Sequence, residues 1–477
     1  MEVSYNLRYQ KSNFSNKVVL DKEGEIVIYS KGFRLKGKGA TDKGELINFS
    51  EIKEFYYRNE KLFFITFNKE KYTLSDASTL FDQMISDIYK SRNEFLMDAL
   101  FMKGGKLKAE FEGAFQRISK FGKLINKGTG KLRLYESSLV VVPCKQDAFS
   151  VHFDFVNFHE FDDGEYTLKV VMDDGTTILF SQLGNDFEFF QEKMDALLGG
   201  MYETLVNDVL KQAFMQFHAA TLLKLAYKMK GGKAVALKDI QKMDKELAVE
   251  VESFIFQDEN LKKKMKLLRD MVDEYSVYYG IAKDEAIKDS FIRWVMYSIP
   301  AKNVVAFCIL PRWKQGGSAG QTGASASTAT PGGPPKAGNN MQDRHDTYFY
   351  KIIMEQGTPA DKVEDKVMEI DQALVNLHFA KDPCYKDKRD LKHSPYQYAI
   401  RKLPYLRILR KSFVGFVSAS DVDEWHKQAK EVLKNAEVQD KMAHAMGHRS
   451  AKPYVNRLPW LINHLQLNLI FYVSNIQ

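Results

Sequence analysis

Gly316-Gly317-Ser318-Ala319-Gly320 has the spacing of a nucleophile elbow, in which a strand and a following helix hold a serine hydroxyl on a sharp, exposed turn. Here the serine sits in a tract of Gly, Ser, Ala, Thr and Pro from Gln315 to Asp346, with neither element beside it, so acyl transfer is not expected. Gly128-Thr129-Gly130-Lys131 hints at a phosphate loop. That loop needs a glycine five positions before its Gly-Lys pair and a hydroxyl residue after it; Ile125 and Leu132 stand there instead. His444 and His448 are spaced for two metal ligands on one helix face, but no glutamate follows His444 and no third ligand lies nearby. Asp162-Asp163 and Asp173-Asp174 lack the alternating oxygen-ligand spacing of a calcium loop and read as turns. No catalytic residue, cofactor site or metal site is therefore expected, although an enzyme whose groups converge only in space stays open as an alternative.

Two basic groups hold more promise. Lys31, Arg34, Lys36 and Lys38 flank an early strand, and alternation puts the last three on one face. They suit an anion, or equally a lysine-lined edge that discourages strand-to-strand aggregation. Arg401, Lys402, Arg407 and Arg410 interleave with Tyr396, Tyr398 and Tyr405, a combination that suits a nucleic-acid backbone with stacked bases. Charge is concentrated more widely still. Lys103–Arg133 and Lys386–Lys411 each hold nine Lys or Arg against two acids, an excess as large as the +7 of the whole chain. Stretches 31–38, 103–133 and 386–411 are thus candidates for an anionic membrane surface or nucleic acid.

The elements that would position these residues follow a repeated plan. Short alternating segments at Glu25–Ser30, Phe33–Gly37, Leu46–Phe49, Lys53–Tyr57, Leu62–Phe67 and Lys71–Leu74 read as strands. Phe81, Met84, Ile85, Ile88 and Tyr89 then fall at helical spacing. The same order returns in strands from Lys131 to Phe180, followed by a helix bearing Phe187, Phe190, Met194, Leu197 and Leu198. "INFSEIKEF" and "VHFDFVNFHEF" stand at matching places in the two halves, which indicates an internal duplication.

This strand-run-then-helix plan resembles the pleckstrin-homology-like superfold in its broad sense, through Gly32-Phe33-Arg34-Leu35 and Phe49-Ser50-Glu51-Ile52 as well as element order. Neither closing helix carries the tryptophan usual in that superfold. The resemblance implies a binding module. It also implies that basic residues at the first hairpin hold inositol phosphates in the lipid-binding members.

The fold class expected is α+β. Two such antiparallel barrels, 14–101 and 131–202, are each closed by a helix and separated by a basic linker at 102–130. A helical connector spans 203–273. A C-terminal α+β domain spans 274–440, with a disordered insertion at 315–346; its final helix bears Trp425, which suggests a third, diverged copy. A tail at 449–477 has no place in the plan. The segments "TYFYKIIM", "VNLHFAKDPCY" and "YAIRKLPYLRILRKSFVGFV" resemble a bacterial family without an established activity.

The remaining composition bounds the class. Three cysteines, Cys144, Cys308 and Cys384, are too sparse for a disulfide framework and read as reduced, mostly buried thiols. No window is long and apolar enough to span a bilayer, and Met1–Lys11 lacks a signal-peptide core, so a cytoplasmic location is expected. The function expected is that of a non-catalytic binding or scaffold protein with a protein partner and no cofactor.

Overall fold

The computed structural model describes residues 3–39, 42–256, 259–272, 276–283, 290–299, 304–310, 313–314, 347–354, 360–376 and 396–445. They form two compact units: Met1–Met201 with Leu391–Pro404, and Tyr202–Asp390 with Tyr405–Gln477.

The first unit opens with strands β1 (Val3–Ser12), β2 (Val18–Tyr29), β3 (Gly32–Gly37), β4 (Glu45–Asn48), β5 (Ile52–Arg58), β6 (Lys61–Thr66) and β7 (Lys71–Ser75), then helix α1 (Phe81–Ala99). The strands make one antiparallel sheet in the order β4-β3-β2-β1-β7-β6-β5, so β1 is central and pairs with both β2 and β7. Its strands follow the period of two: Tyr5, Leu7 and Tyr9 of β1 and Phe33 and Leu35 of β3 point into the core. The 3.6-residue period of α1 lays Met84, Ile85, Ile88 and Tyr89 over the same core. Phe33 meets Phe64 edge-on, with ring centroids 5.3 Å apart.

A second copy follows: β8 (Leu107–Ile118), β9 (Leu124–Tyr135), β10 (Ser138–Pro143), β11 (Phe149–His152), β12 (Val156–Asp162), β13 (Thr167–Met172), β14 (Thr177–Ser181) and helix α2 (Phe187–Leu205). The order β11-β10-β9-β8-β14-β13-β12 is that of the first sheet, position for position. A short 3-10 turn precedes the fifth strand in both, at Phe49–Glu51 and Phe153–Phe155, where the two matching motifs lie. The expected linker at 102–130 is corrected: most of it is strand, in β8 and β9. Lysines on the outer face hid the alternation that buries Phe111 and Phe115. The first module likewise starts before residue 14, since β1 begins at Val3.

The two sheets are joined through α1. Leu96 and Met97 share a cluster with Tyr135, Val140 and Ala148 of the second sheet region. Buried Asn93 donates from Nδ2 to the carbonyls of Pro143 (3.0 Å) and Gln146 (3.1 Å), and its Oδ1 accepts from the Ala148 amide at 2.8 Å.

In the second unit, β15 (Val235–Ala236), β16 (Val277–Lys283), β17 (Ser290–Ile299), β18 (Val304–Ile309), β20 (Thr347–Ile353) and β21 (Phe413–Val417) pair in that sequence, with β19 (Trp313–Lys314) on β17. Helices α3 (Ala219–Met229), α4 (Leu237–Met243), α5 (Lys245–Phe256) and α6 (Glu259–Arg269) bury their apolar faces in the same core as this sheet. The expected connector at 203–273 is therefore part of the second domain: amphipathic helices of this length gain most of their stability from packing, and the sheet supplies the surface. Helix α7 (Ala360–Asn376) lies before the short helix α8 (Tyr396–Lys402), which belongs to the first unit. Then come α9 (Pro404–Ser412) and α10 (Val422–Ala445), whose Trp425 is buried against Phe349 at 5.6 Å. The expected third copy is also corrected. Within 274–440 the first strand, β16, lies second in its sheet beside the edge strand β15, whereas in the first two sheets the first strand is central. The tail at 449–477 and the insertion at 315–346 lie outside the described residues. Among the described residues, no helix is long and apolar enough to cross a membrane.

Candidate binding surfaces

Strand β3 presents its basic row outward, because Phe33 and Leu35 take the inward places. The row is already matched by acids on β2. Lys36 lies 3.5 Å from its cross-strand partner Glu25, and Lys38 2.6 Å from Glu23. Arg34 stands 6.0 Å from the centre of the Tyr29 ring. Exposed pairs like these are weak, but an external anion must compete with them. Lys31 projects from the turn between β2 and β3.

The second basic group is divided between the units. Arg401 and Lys402 lie on α8 in the first, Arg407 and Arg410 on α9 in the second, with Leu403 between the helices. Arg410 is buried. The tyrosines are used for packing. Tyr398 is 4% exposed, with its ring 5.1 Å from Phe95 and 6.3 Å from Phe67. Tyr396 packs against Phe101 at 5.5 Å, and burial raises the Tyr405 hydroxyl pKa. Rings held this way are not offered to stacked bases.

Helix α8 thus works as a strap on the first module. Arg401 lies over the Phe67 ring at 4.7 Å, and Lys402 donates to the carbonyl of Lys53. Burial depresses the Lys402 ammonium to about 8, and the neighbouring charge of Arg92 adds to the effect. Asp147 and Glu54 oppose the shift, while Lys53 adds to it.

Beside the strap runs a groove of about 820 Å³. It brings together Lys31, from the first basic group, and Arg401, from the second. Three carboxylates line it as well, each with work of its own: Glu51 accepts from the Asn48 amide at 3.0 Å, Glu94 pairs with Arg133 at 2.6 Å, and Asp98 with Lys103 at 2.6 Å. A trough with both signs of charge and the rings of Phe67, Phe95 and Tyr398 suits a peptide better than a bare anion.

Stretch 103–133 turns out to be a paired ribbon. Lys131 and Arg133 pair with Glu110, and Lys108 with Glu136. Gly128-Thr129-Gly130-Lys131 lies inside β9, where a Cβ on Gly130 would stand 2.3 Å from the Val142 carbonyl oxygen. Its glycine serves strand contact. Asp162 Oδ1 accepts from the amides of Gly164 and Glu165, and Asp174 Oδ1 from that of Thr176, as turn residues do. Among the described residues, no group of three His, Cys, Asp or Glu is placed to hold a metal. Ser318, His448 and Cys384 lie outside the described residues. Cys308 is buried, as expected, but Cys144 is exposed.

Sequence reasoning missed the strap. Its signal was faint: an amphipathic helix whose aromatic and basic residues read equally well as a charged surface.

No protein-family model matches the chain, and no curated protein matches it. Among solved structures, that of the Spt16D–Pob3N heterodimer matches at 10% identity and a TM-score of 0.15, over 39% of this chain and 97% of that one. A likeness at that score carries no argument.

Proposed function

We propose that the chain is a non-catalytic binding and scaffold protein built on two pleckstrin-homology-like modules. Its first module takes a helical peptide on the surface that α8 covers. The fold reading is supported by the twice-repeated strand order with a central first strand and a helix closing each copy. The observation that carries the function is α8 itself. A segment more than three hundred residues away in sequence inserts Tyr398 between Phe67 and Phe95, the way an amphipathic helix fills a groove.

The test uses the full chain and a synthetic peptide of residues 391–404. The peptide is expected to bind the Tyr398→Ala chain at least about tenfold more tightly than the wild type, because a truncated tyrosine anchor loosens the strap. Lys402 sets the pH dependence. Its pKa in the groove is lowered to about 8 from 10.5, so the free peptide holds its proton longer than the bound one. Binding should therefore strengthen as pH rises between those values and be flat below them. Equal weak binding by both chains at every pH would remove the docking surface.

A second reading, attachment to an anionic surface, is favoured by one observation. No ion pair holds Lys120, Lys123 or Lys127 of the second module among the described residues.

A further inference from the structure

The two modules share a strand order but differ on one outer sheet face. In the first, Tyr56 of β5 and Phe63 of β6 stand directly across from each other and point away from the core. Their rings are stacked, with centroids 5.3 Å apart and planes 17° from parallel. Tyr56 is 46% exposed. In the second module the matching places, fifth in β12 and third in β13, hold Glu160 and Lys169, again directly across, with Nζ and Oε2 3.9 Å apart. The shared plan builds this face without rings at these places, so sheet formation does not account for the aromatic pair.

Charge differs in the same region. Two residues along each strand, Arg58 lies across from Lys61, where the second module has Asp162 and Thr167. Both cations are exposed, and among the described residues neither has an ion pair or a side-chain hydrogen bond. The acids of this hairpin are Glu54, 2.9 Å from Lys53, and Glu60 in the turn. Asn59 (φ 50°) and Glu60 (φ 54°) form a two-residue turn whose twist suits the flanking strands, and it sets the two cations side by side at its base. Strand β5 is the edge of its sheet, so no further strand flanks the Tyr56 ring on its far side. The stack runs across the strands and stops there.

We infer that this face is a platform for single-stranded nucleic acid, on which a base continues the stack beyond Tyr56 while Arg58 and Lys61 meet the adjoining phosphates. A ring face takes any base, and cations about 7 Å along the strands lie within reach of the backbone that carries it. A duplex keeps its bases stacked on one another, which leaves the single strand as the ligand. The site is separate from the strap and from the lysines of the second module.

The full chain is titrated into a fluorescein-labelled adenylate oligomer and followed by anisotropy, with an abasic oligomer of the same length as the control for charge alone. The adenylate should bind at least about tenfold more tightly than the abasic oligomer, the share due to one stacked base. Tyr56→Glu/Phe63→Lys installs the second module's pair without changing net charge, and it should weaken adenylate binding by about tenfold. Its melting curve should stay near that of the wild type, because the same pair stands in the sister sheet; Tyr56→Ser serves as the second variant and should show the same loss. Arg58→Ala/Lys61→Ala should flatten the dependence of log Kd on log salt by about 1.4, two single-strand phosphate contacts at about 0.7 each. Equal affinity for the two oligomers would overturn stacking. Binding kept in both Tyr56 variants but lost in Lys120→Glu/Lys123→Glu would move the nucleic acid to the second module and overturn the platform. Absence of binding at low salt, or capture by phosphatidylserine vesicles alone, would overturn the nucleic-acid assignment.

Discussion

Asp147→Ala is expected to destabilise the first unit by about 3 kcal/mol, the usual cost of stripping a buried cation of its partner. Arg92 of α1 has no exposed side-chain surface, and it donates from Nε and Nη2 to the two oxygens of Asp147 at 2.7 and 2.8 Å. Its guanidinium also stands 4.7 Å from the centre of the Phe55 ring. Burial works to lower the Arg92 pKa, but the bonds and charge of Asp147 more than offset it, and the net shift is upward. Asp147 itself is 38% exposed, so its loss admits some water and holds the effect near the low end of the range for such pairs. The pair ties the helix of the first module to the second module. Urea unfolding should show a lower midpoint with an unchanged slope. Arg92→Met added to Asp147→Ala should recover most of the loss, because it removes the stranded charge. A single-variant loss under about 1 kcal/mol would mean that water already shields the guanidinium.

Gly280→Ala should be more damaging, and confined to the second unit. Gly280 of β16 faces Trp294 of β17 directly across the sheet, and the indole lies over the glycine. A Cβ there would stand 2.0 Å from Cε2, 2.3 Å from Cζ2 and 2.5 Å from Nε1. Trp294 is fully buried and cannot swing aside, so the sheet must open, at more than about 3 kcal/mol on the scale of severe overpacking. Calorimetry should show the transition of the second unit lowered or lost while that of the first persists. An unchanged profile would show that the ring has room to move.

Several elements were legible because their signals are local. Strands such as Lys71–Ser75 and the closing helix bearing Met84, Ile85 and Ile88 follow periods of two and 3.6, which any sequence displays along its own length. The duplication was legible from the matching motifs at the two 3-10 turns. The basic ribbon was misjudged for an equally physical reason. On β8 and β9 a dense outer row of Lys and Arg outweighed the few inward apolar residues, so composition read as linker what alternation builds as strand.

The chain's own order therefore determined which segments become strands and helices, that one plan is used twice, and that the familiar catalytic motifs are incomplete. Tertiary structure decided which charges are free. Lys36 and Lys38 looked like an anion site until β2 placed Glu25 and Glu23 beside them, and Arg401 looked like a nucleic-acid contact until α8 laid it on Phe67. Charge neutralisation and burial depend on neighbours distant in sequence, and only the fold brings those neighbours within a few ångströms.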